Sequence, residues 1–233
     1  VNQRTGNNAE SQLKMLLTRT DWSEILTLLE SKSYQRKFQI IEAFMMLVAT
    51  KGFHEVTHSD IAKNCGITRQ LVDHHFPDEE LLIILTYRYV YAGFQKSAAD
   101  GLMAKEGFLN QLKGYIDAVA IWIDEKREHA QFLVQFYALV NLNPKFSDLN
   151  KRNIQIGRER IVSLCLAARK QGFFQNIHED VLAARAFSLQ THILGFLVMQ
   201  SWNAASDLSS EPKEELWRCC LSILELALVP SRK

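Results

Sequence analysis

Thr57-His58-Ser59-Asp60-Ile61-Ala62-Lys63-Asn64-Cys65-Gly66-Ile67-Thr68-Arg69-Gln70-Leu71-Val72-Asp73-His74-His75-Phe76, followed by Pro77-Asp78-Glu79-Glu80-Leu81-Leu82, reads as two short helices joined by a tight turn. Thr57 can cap the first helix through its hydroxyl, and Asp60 three residues on completes an approximate capping box. Ile61 and Ala62 supply the buried side. Gly66 stands where a left-handed residue reverses the backbone without a Cβ clash, after which Ile67 turns inward and Thr68 caps a second helix. That helix opens on Arg69 and Gln70, side chains with the length and donors to reach base edges in a major groove. Pro77 ends it by pushing Phe76 out of the α region, and a further helix is expected from Asp78.

Outward from this stretch the helical period dominates and strand signals are scarce, so the fold expected is all-α. Upstream, Tyr34 to Lys51 carries Phe38, Ile41, Phe44, Met45 and Val48 on one side and is stopped by Gly52. Glu10 to Glu30 offers one or two short helices whose charges cancel, which favours packing over a DNA-contacting arm. Downstream, helices are expected at about Asp78 to Ala99, Lys105 to Asp124, Glu125 to Val140, Lys145 to Gln171, Glu179 to Ala204 and Pro212 to Leu228. Asn143-Pro144, Gly172 and Ser209-Ser210-Glu211-Pro212 mark breaks between them.

From roughly Tyr34 to Phe94 the sequence resembles the DNA-binding domain of the tetracycline-repressor (TetR) family of bacterial transcription regulators. The resemblance rests on Gly52-Phe53, Thr57, Ile61-Ala62, Gly66-Ile67, Thr68, Phe76 and Leu81-Leu82 in combination. It implies an N-terminal helix-turn-helix DNA-binding domain followed by a C-terminal helical ligand-binding and dimerisation domain. The boundaries drawn are an extension at 1–33, a DNA-binding domain at 34–80 and an effector-binding and dimerisation domain at 81–233. The expected contacts with double-stranded DNA are Thr57, Thr68, Arg69, Gln70, His74, His75, Lys37 and Lys63. The helix from Asp78 would link head to body, so that its tilt transmits a signal.

Two positions depart from the family pattern. Asp73 stands where a phosphate-touching tyrosine is usual, and Glu79 where a lysine is. From Tyr34 to Asp100 acidic residues outnumber basic ones eight to seven, so the reading domain is not basic by formal charge. Weak general DNA affinity and reliance on a few placed contacts follow, because non-specific affinity comes from neutralising phosphates. His54, His58, His74 and His75 are a reserve of charge at mildly acid pH.

With 233 residues, a net charge of +1 and 47% hydrophobic residues, the chain can bury one or two cores and is not a disordered tail. Cys65, Cys165, Cys219 and Cys220 show neither secreted-disulfide nor zinc spacing, which suits a reducing cytoplasm. Uninterrupted apolar runs fall below the ~18 residues that span a bilayer, so a soluble protein without membrane partner is expected. No metal, cofactor or catalytic residue is expected. His74 and His75 are adjacent and project differently from a helix, and no phosphate cradle or nucleophile elbow is present.

The last two expected helices are apolar on more than one side and lie where the family dimerises. A homodimer is therefore expected through Phe187, Leu194, Leu197, Trp217, Leu221 and Leu224, with Gly195 allowing close approach. Tyr115, Trp122, Phe132, Phe136, Tyr137, Phe187 and His192 are the candidate walls of a pocket for an unknown small-molecule effector, against the plainer reading of core aromatics. The function implied is an operator-binding regulator, as a repressor, whose DNA affinity an effector alters. Asp73 and Glu79 keep open a dimer that has lost operator binding and acts through a protein partner; an enzyme is the remote alternative.

Overall fold

The computed structural model describes residues 34–202 and 210–226, and among the described residues there are helices and turns but no strand. The helices expected between Glu10 and Glu30 lie outside the described residues. The chain divides into two compact units, Val1–Lys96 and Ser97–Lys233, with the division inside one long helix.

In the first unit, α1 (Gln35–Lys51) buries Ile40, Ile41, Phe44, Met45 and Val48, an apolar stripe at helical spacing. Gly52 ends it at φ 87°. A short 3-10 turn, Phe53–Glu55, not expected from the sequence, sets Phe53 edge-on against Phe44 with ring centroids 6.0 Å apart. Helices α2 (His58–Cys65) and α3 (Arg69–His75) follow, α1 packing on α2 and α2 on α3. Helix α4 (Glu79–Met103) opens after Asp78, whose carboxylate accepts the Glu80 N–H at 2.9 Å, and runs past the expected Ala99. Its first half is held to α1 by the Phe38–Tyr89 ring contact at 5.1 Å and by the Tyr89 hydroxyl, which donates to Glu42 at 3.4 Å.

The second unit contains the end of α4 with α5 (Phe108–Glu125), α6 (Arg127–Leu139), α7 (Pro144–Ala168), α8 (Glu179–Ser201) and α9 (Ser210–Ile223). Asn143 caps α7 by accepting the Lys145 N–H at 2.9 Å, and Pro144 takes the first position, where its missing N–H costs nothing. The α7 hydrogen bonding stops at Ala168 rather than the expected Gln171; the last residues tighten into a 3-10 turn closed by Gly172 at φ 91°. Helix α9 begins two residues before Pro212, because proline is tolerated within a first turn.

Helix α8 is the centre of this unit, packed against α5, α6, α7 and α9 through Leu182, Ala186, Leu189, Ile193 and Leu197. By length and composition it would also suit a membrane span, as core helices often do, with only 28% of its apolar window buried. Much of its apolar character therefore faces outward.

Candidate nucleic-acid interface

The turn and its caps form as the sequence demands. The Thr57 hydroxyl accepts the Asp60 N–H at 3.2 Å, and Asp60 Oδ2 accepts the Thr57 N–H at 3.0 Å, a complete capping box. The same oxygen accepts the Thr57 hydroxyl at 2.6 Å, the leading cause of an Asp60 carboxyl held below its ordinary range. Gly66 sits at φ 64°, ψ 36° in the left-handed region, with its N–H returning to the end of α2. Gln39 and Cys65 tie this turn to α1: Gln39 Nε2 donates to the Cys65 carbonyl at 3.3 Å, and the Cys65 thiol to the Gln39 carbonyl at 3.5 Å. Burial pushes the Cys65 thiol up.

The second helix stands on a fixed base. Thr68 accepts the Leu71 N–H at 3.3 Å, while Val72 and Phe76 are fully buried beneath it. Thr68, Arg69, Gln70 and His74 are exposed together along α3, with His75 half-buried. On α2 and before it, Lys63 and Thr57 are exposed. Lys37 on α1 is half-buried, its ammonium 5.7 Å from the centroid of the Tyr34 ring. Thr57, His58, Arg69 and Glu79 line a notch of about 520 Å³ floored by Phe44, Ile61 and Leu82.

Electrostatics refine the histidine reserve. Burial, then the positive charges of His74, Lys37 and Arg36, lower the His75 pKa, so this ring takes a proton only at more acid pH than an ordinary imidazole. Asp73 is occupied rather than free: its Oδ1 lies 2.6 Å from His58 Nδ1 and its Oδ2 3.6 Å from Arg69 Nε. Sequence reading missed this contact, since nothing in a spacing of fifteen residues across a turn signals it.

In the second unit the candidate residues separate. Tyr115, Trp122, Phe132 and Phe136 are buried in the core, and burial pushes the Tyr137 hydroxyl up to about 12. Phe187 and His192 instead line an outward groove of about 810 Å³ between α8 and α9, with Gly195, Phe196, Met199 and Cys219. These seven residues therefore divide between the core and the groove. Of the expected dimer residues, Leu197, Leu221 and Leu224 are buried within their own subunit, so they support α8 and α9 from inside. Phe187 is 52% exposed, while Leu194 and Trp217 are partly exposed. Burial raises Cys165 to about 11 and Cys220 to about 12, so these thiols stay protonated and serve as small apolar side chains.

Comparison with known sequences places a family match inside the first unit. Residues 40–84 match the sequence pattern of bacterial regulatory proteins of the tetR family. The HTH-type transcriptional regulator BetI of Yersinia pestis (strain Pestoides F) is 38% identical over 55 residues, 24% of this chain. The chain spans 28% of the length of that curated relative. Among solved structures, a TetR transcription regulator from Haloarcula marismortui superposes with a TM-score of 0.68 at 17% identity, over 82% of this chain and 97% of the other. A transcriptional regulator from Saccharomonospora viridis, solved in complex with choline, gives 0.64 at 23% identity, over 83% and 97%. At such identities the structural likeness establishes the fold, and the matched segment establishes the DNA-binding module. The chain therefore carries the helix-turn-helix DNA-binding domain of the tetR family of bacterial regulatory proteins, within the all-helical fold of that family's transcriptional regulators.

Proposed function

We propose that the chain is a transcriptional repressor that binds an approximately palindromic operator as a homodimer and is released or tightened by a small-molecule effector. The observation that carries the reading is the exposed row Arg69, Gln70 and His74 on a short helix held by the Thr68 cap, the buried Val72 and the αL turn at Gly66. A rigid helix presenting long polar donors is what direct readout of a major groove needs. DNA contact is assigned to 34–80, with Thr57, Thr68, Lys37, Lys63 and His75 as backbone contacts. Effector binding and dimerisation are assigned to 81–233, in a protein of the cytoplasm.

The dimer surface is the outward face of α8 and α9. Phe187 and Met199, 52% and 64% exposed, sit on one groove with Gly195, an apolar patch that a second copy would cover. Two copies about a two-fold axis would set the two α3 helices over half-sites about one DNA turn (~34 Å) or a multiple apart.

The effector reading is supported by the interior of the second unit, where buried Tyr115 feels the charge of Arg160 and buried polar atoms lack a partner. Arg160 Nη1 and Gln190 Oε1 are buried without a hydrogen bond. An unmade buried hydrogen bond costs about 1–3 kcal/mol, so a small molecule supplying those partners would gain affinity there. Its effect on DNA binding equals its differential affinity for the two states.

The second reading, a dimer acting through a protein partner, draws on Glu79 and the acidic balance of the head. A gel-shift series against the gene's own upstream region across salt concentrations separates the two. A retarded, sequence-specific complex that weakens with salt supports the repressor, since each neutralised phosphate contributes a slope of about −0.9. No complex at low salt favours the partner reading.

A further inference from the structure

We propose that Asp73 is a positioning residue for base reading: together with His58 it holds the Arg69 guanidinium by its Nε edge and leaves the two terminal nitrogens free for a base. The inference rests on the DNA-reading function proposed above and goes beyond it by assigning a role to a residue that no phosphate contact would explain.

Three observations build it. His58 is the first residue of α2, and its backbone is fixed by the Thr57–Asp60 capping box immediately before it. Its ring is part-buried, the side chain 22% exposed, with Nδ1 2.6 Å from Asp73 Oδ1. A carboxylate only accepts, so Nδ1 carries the hydrogen and donates, which sets the orientation of both groups. The second carboxylate oxygen, 3.6 Å from Arg69 Nε, lies one helical turn from Arg69 on the same face of α3. An exposed pair one turn apart is readily broken when it stands alone. Here the carboxylate is anchored from a second helix, so Arg69 is tied to a fixed point instead of to another mobile side chain.

The geometry of arginine gives this its consequence. Guanine can be read by two parallel donors on O6 and N7, which the Nη1 and Nη2 groups supply from the end of the fork, whereas the Nε–H points along the side edge and is spare. Restraining Arg69 through the spare edge lowers the rotamer entropy lost on binding without consuming a reading donor. The negative charge of Asp73 weakens attraction to the nearby phosphates whatever the base sequence. The residue therefore exchanges general affinity for discrimination.

Glu79 provides a matched control. It lines the same notch and makes no ion pair among the described residues, so Glu79→Gln removes an equal charge from the same surface without loosening Arg69. Duplexes selected by the wild-type protein from a random pool supply the cognate probe, and a scrambled duplex supplies the reference. Dissociation constants are measured for wild type, Asp73→Asn, Glu79→Gln and His58→Ala, with circular dichroism confirming that each variant is folded.

Asn accepts at one oxygen only and cannot hold both partners, so Asp73→Asn is expected to tighten scrambled DNA while cutting the cognate-to-scrambled ratio by about tenfold, the scale of one bidentate contact. Glu79→Gln is expected to tighten both duplexes by the same factor. His58→Ala is expected to lower the ratio in the same direction as Asp73→Asn with carboxylate charge unchanged. A folded Asp73→Asn whose ratio equals or exceeds that of wild type overturns the positioning role and leaves the DNA-reading function intact. Failure of the wild type to select any sequence overturns both.

Discussion

Gly101, in the last turn of α4, and Gly114, in α5, touch backbone to backbone: a Cβ on Gly101 would overlap the Gly114 carbonyl oxygen, and a Cβ on Gly114 would overlap the Gly101 carbonyl oxygen. Inside a helix, glycine to alanine ordinarily stabilises by up to about 1 kcal/mol, so the sign of the change is diagnostic. Gly101→Ala and Gly114→Ala should each destabilise the protein by about 1–3 kcal/mol, the scale of overpacking, in urea unfolding. A gain in stability at either site would show that the two helices are free to separate.

On the outer face of α8 a glycine meets no such neighbour. Nothing lies within 4 Å of a Cβ added at Gly195 in the isolated subunit, and Phe187 beside it is 52% exposed. If a second copy covers this face, Phe187→Asp should convert the dimer to a monomer in analytical ultracentrifugation while leaving the helical circular dichroism unchanged. A variant that sediments as the wild type does would place the dimer contact elsewhere.

Acid should weaken the second unit through His129. Burial, then the neighbouring Lys126 charge, lowers this imidazole from 6.5 to about 4, with Glu128 opposing, and its ring lies edge-on to Trp122 at 6.2 Å. Because the unfolded chain binds the proton more readily, the contribution is complete above about pH 6.5 and disappears as pH falls toward 4. A shift of this size corresponds to at most about 3 kcal/mol. Urea midpoints measured from pH 7 to 4.5 should fall less steeply for His129→Gln than for wild type; parallel curves would contradict the assignment.

The features legible in the sequence are those decided by local backbone chemistry. Thr57 with Asp60, Gly66, Thr68 and Pro77 each act within a few residues, and each cap and turn forms where expected. What eluded sequence reading depends on side chains meeting across the fold. The His58–Asp73 contact joins two helices, and without it Asp73 reads only as a lost phosphate contact. Helix α8 is apolar on most sides, so periodicity does not tell that Leu197 turns inward while Phe187 turns out. For the same reason periodicity does not separate the candidate effector residues, of which Phe187 and His192 face the groove and Phe132 and Phe136 the core.

Base reading by α3 rests above all on Arg69. The most direct measurement is fluorescence anisotropy of wild type and Arg69→Ala on the duplex enriched by wild-type selection and on a shuffled duplex of the same composition. Loss of one bidentate contact, ~1–3 kcal/mol, predicts a weakening of about 5- to 150-fold on the enriched duplex and a much smaller change on the shuffled one. Equal weakening on both duplexes would contradict base reading by this helix.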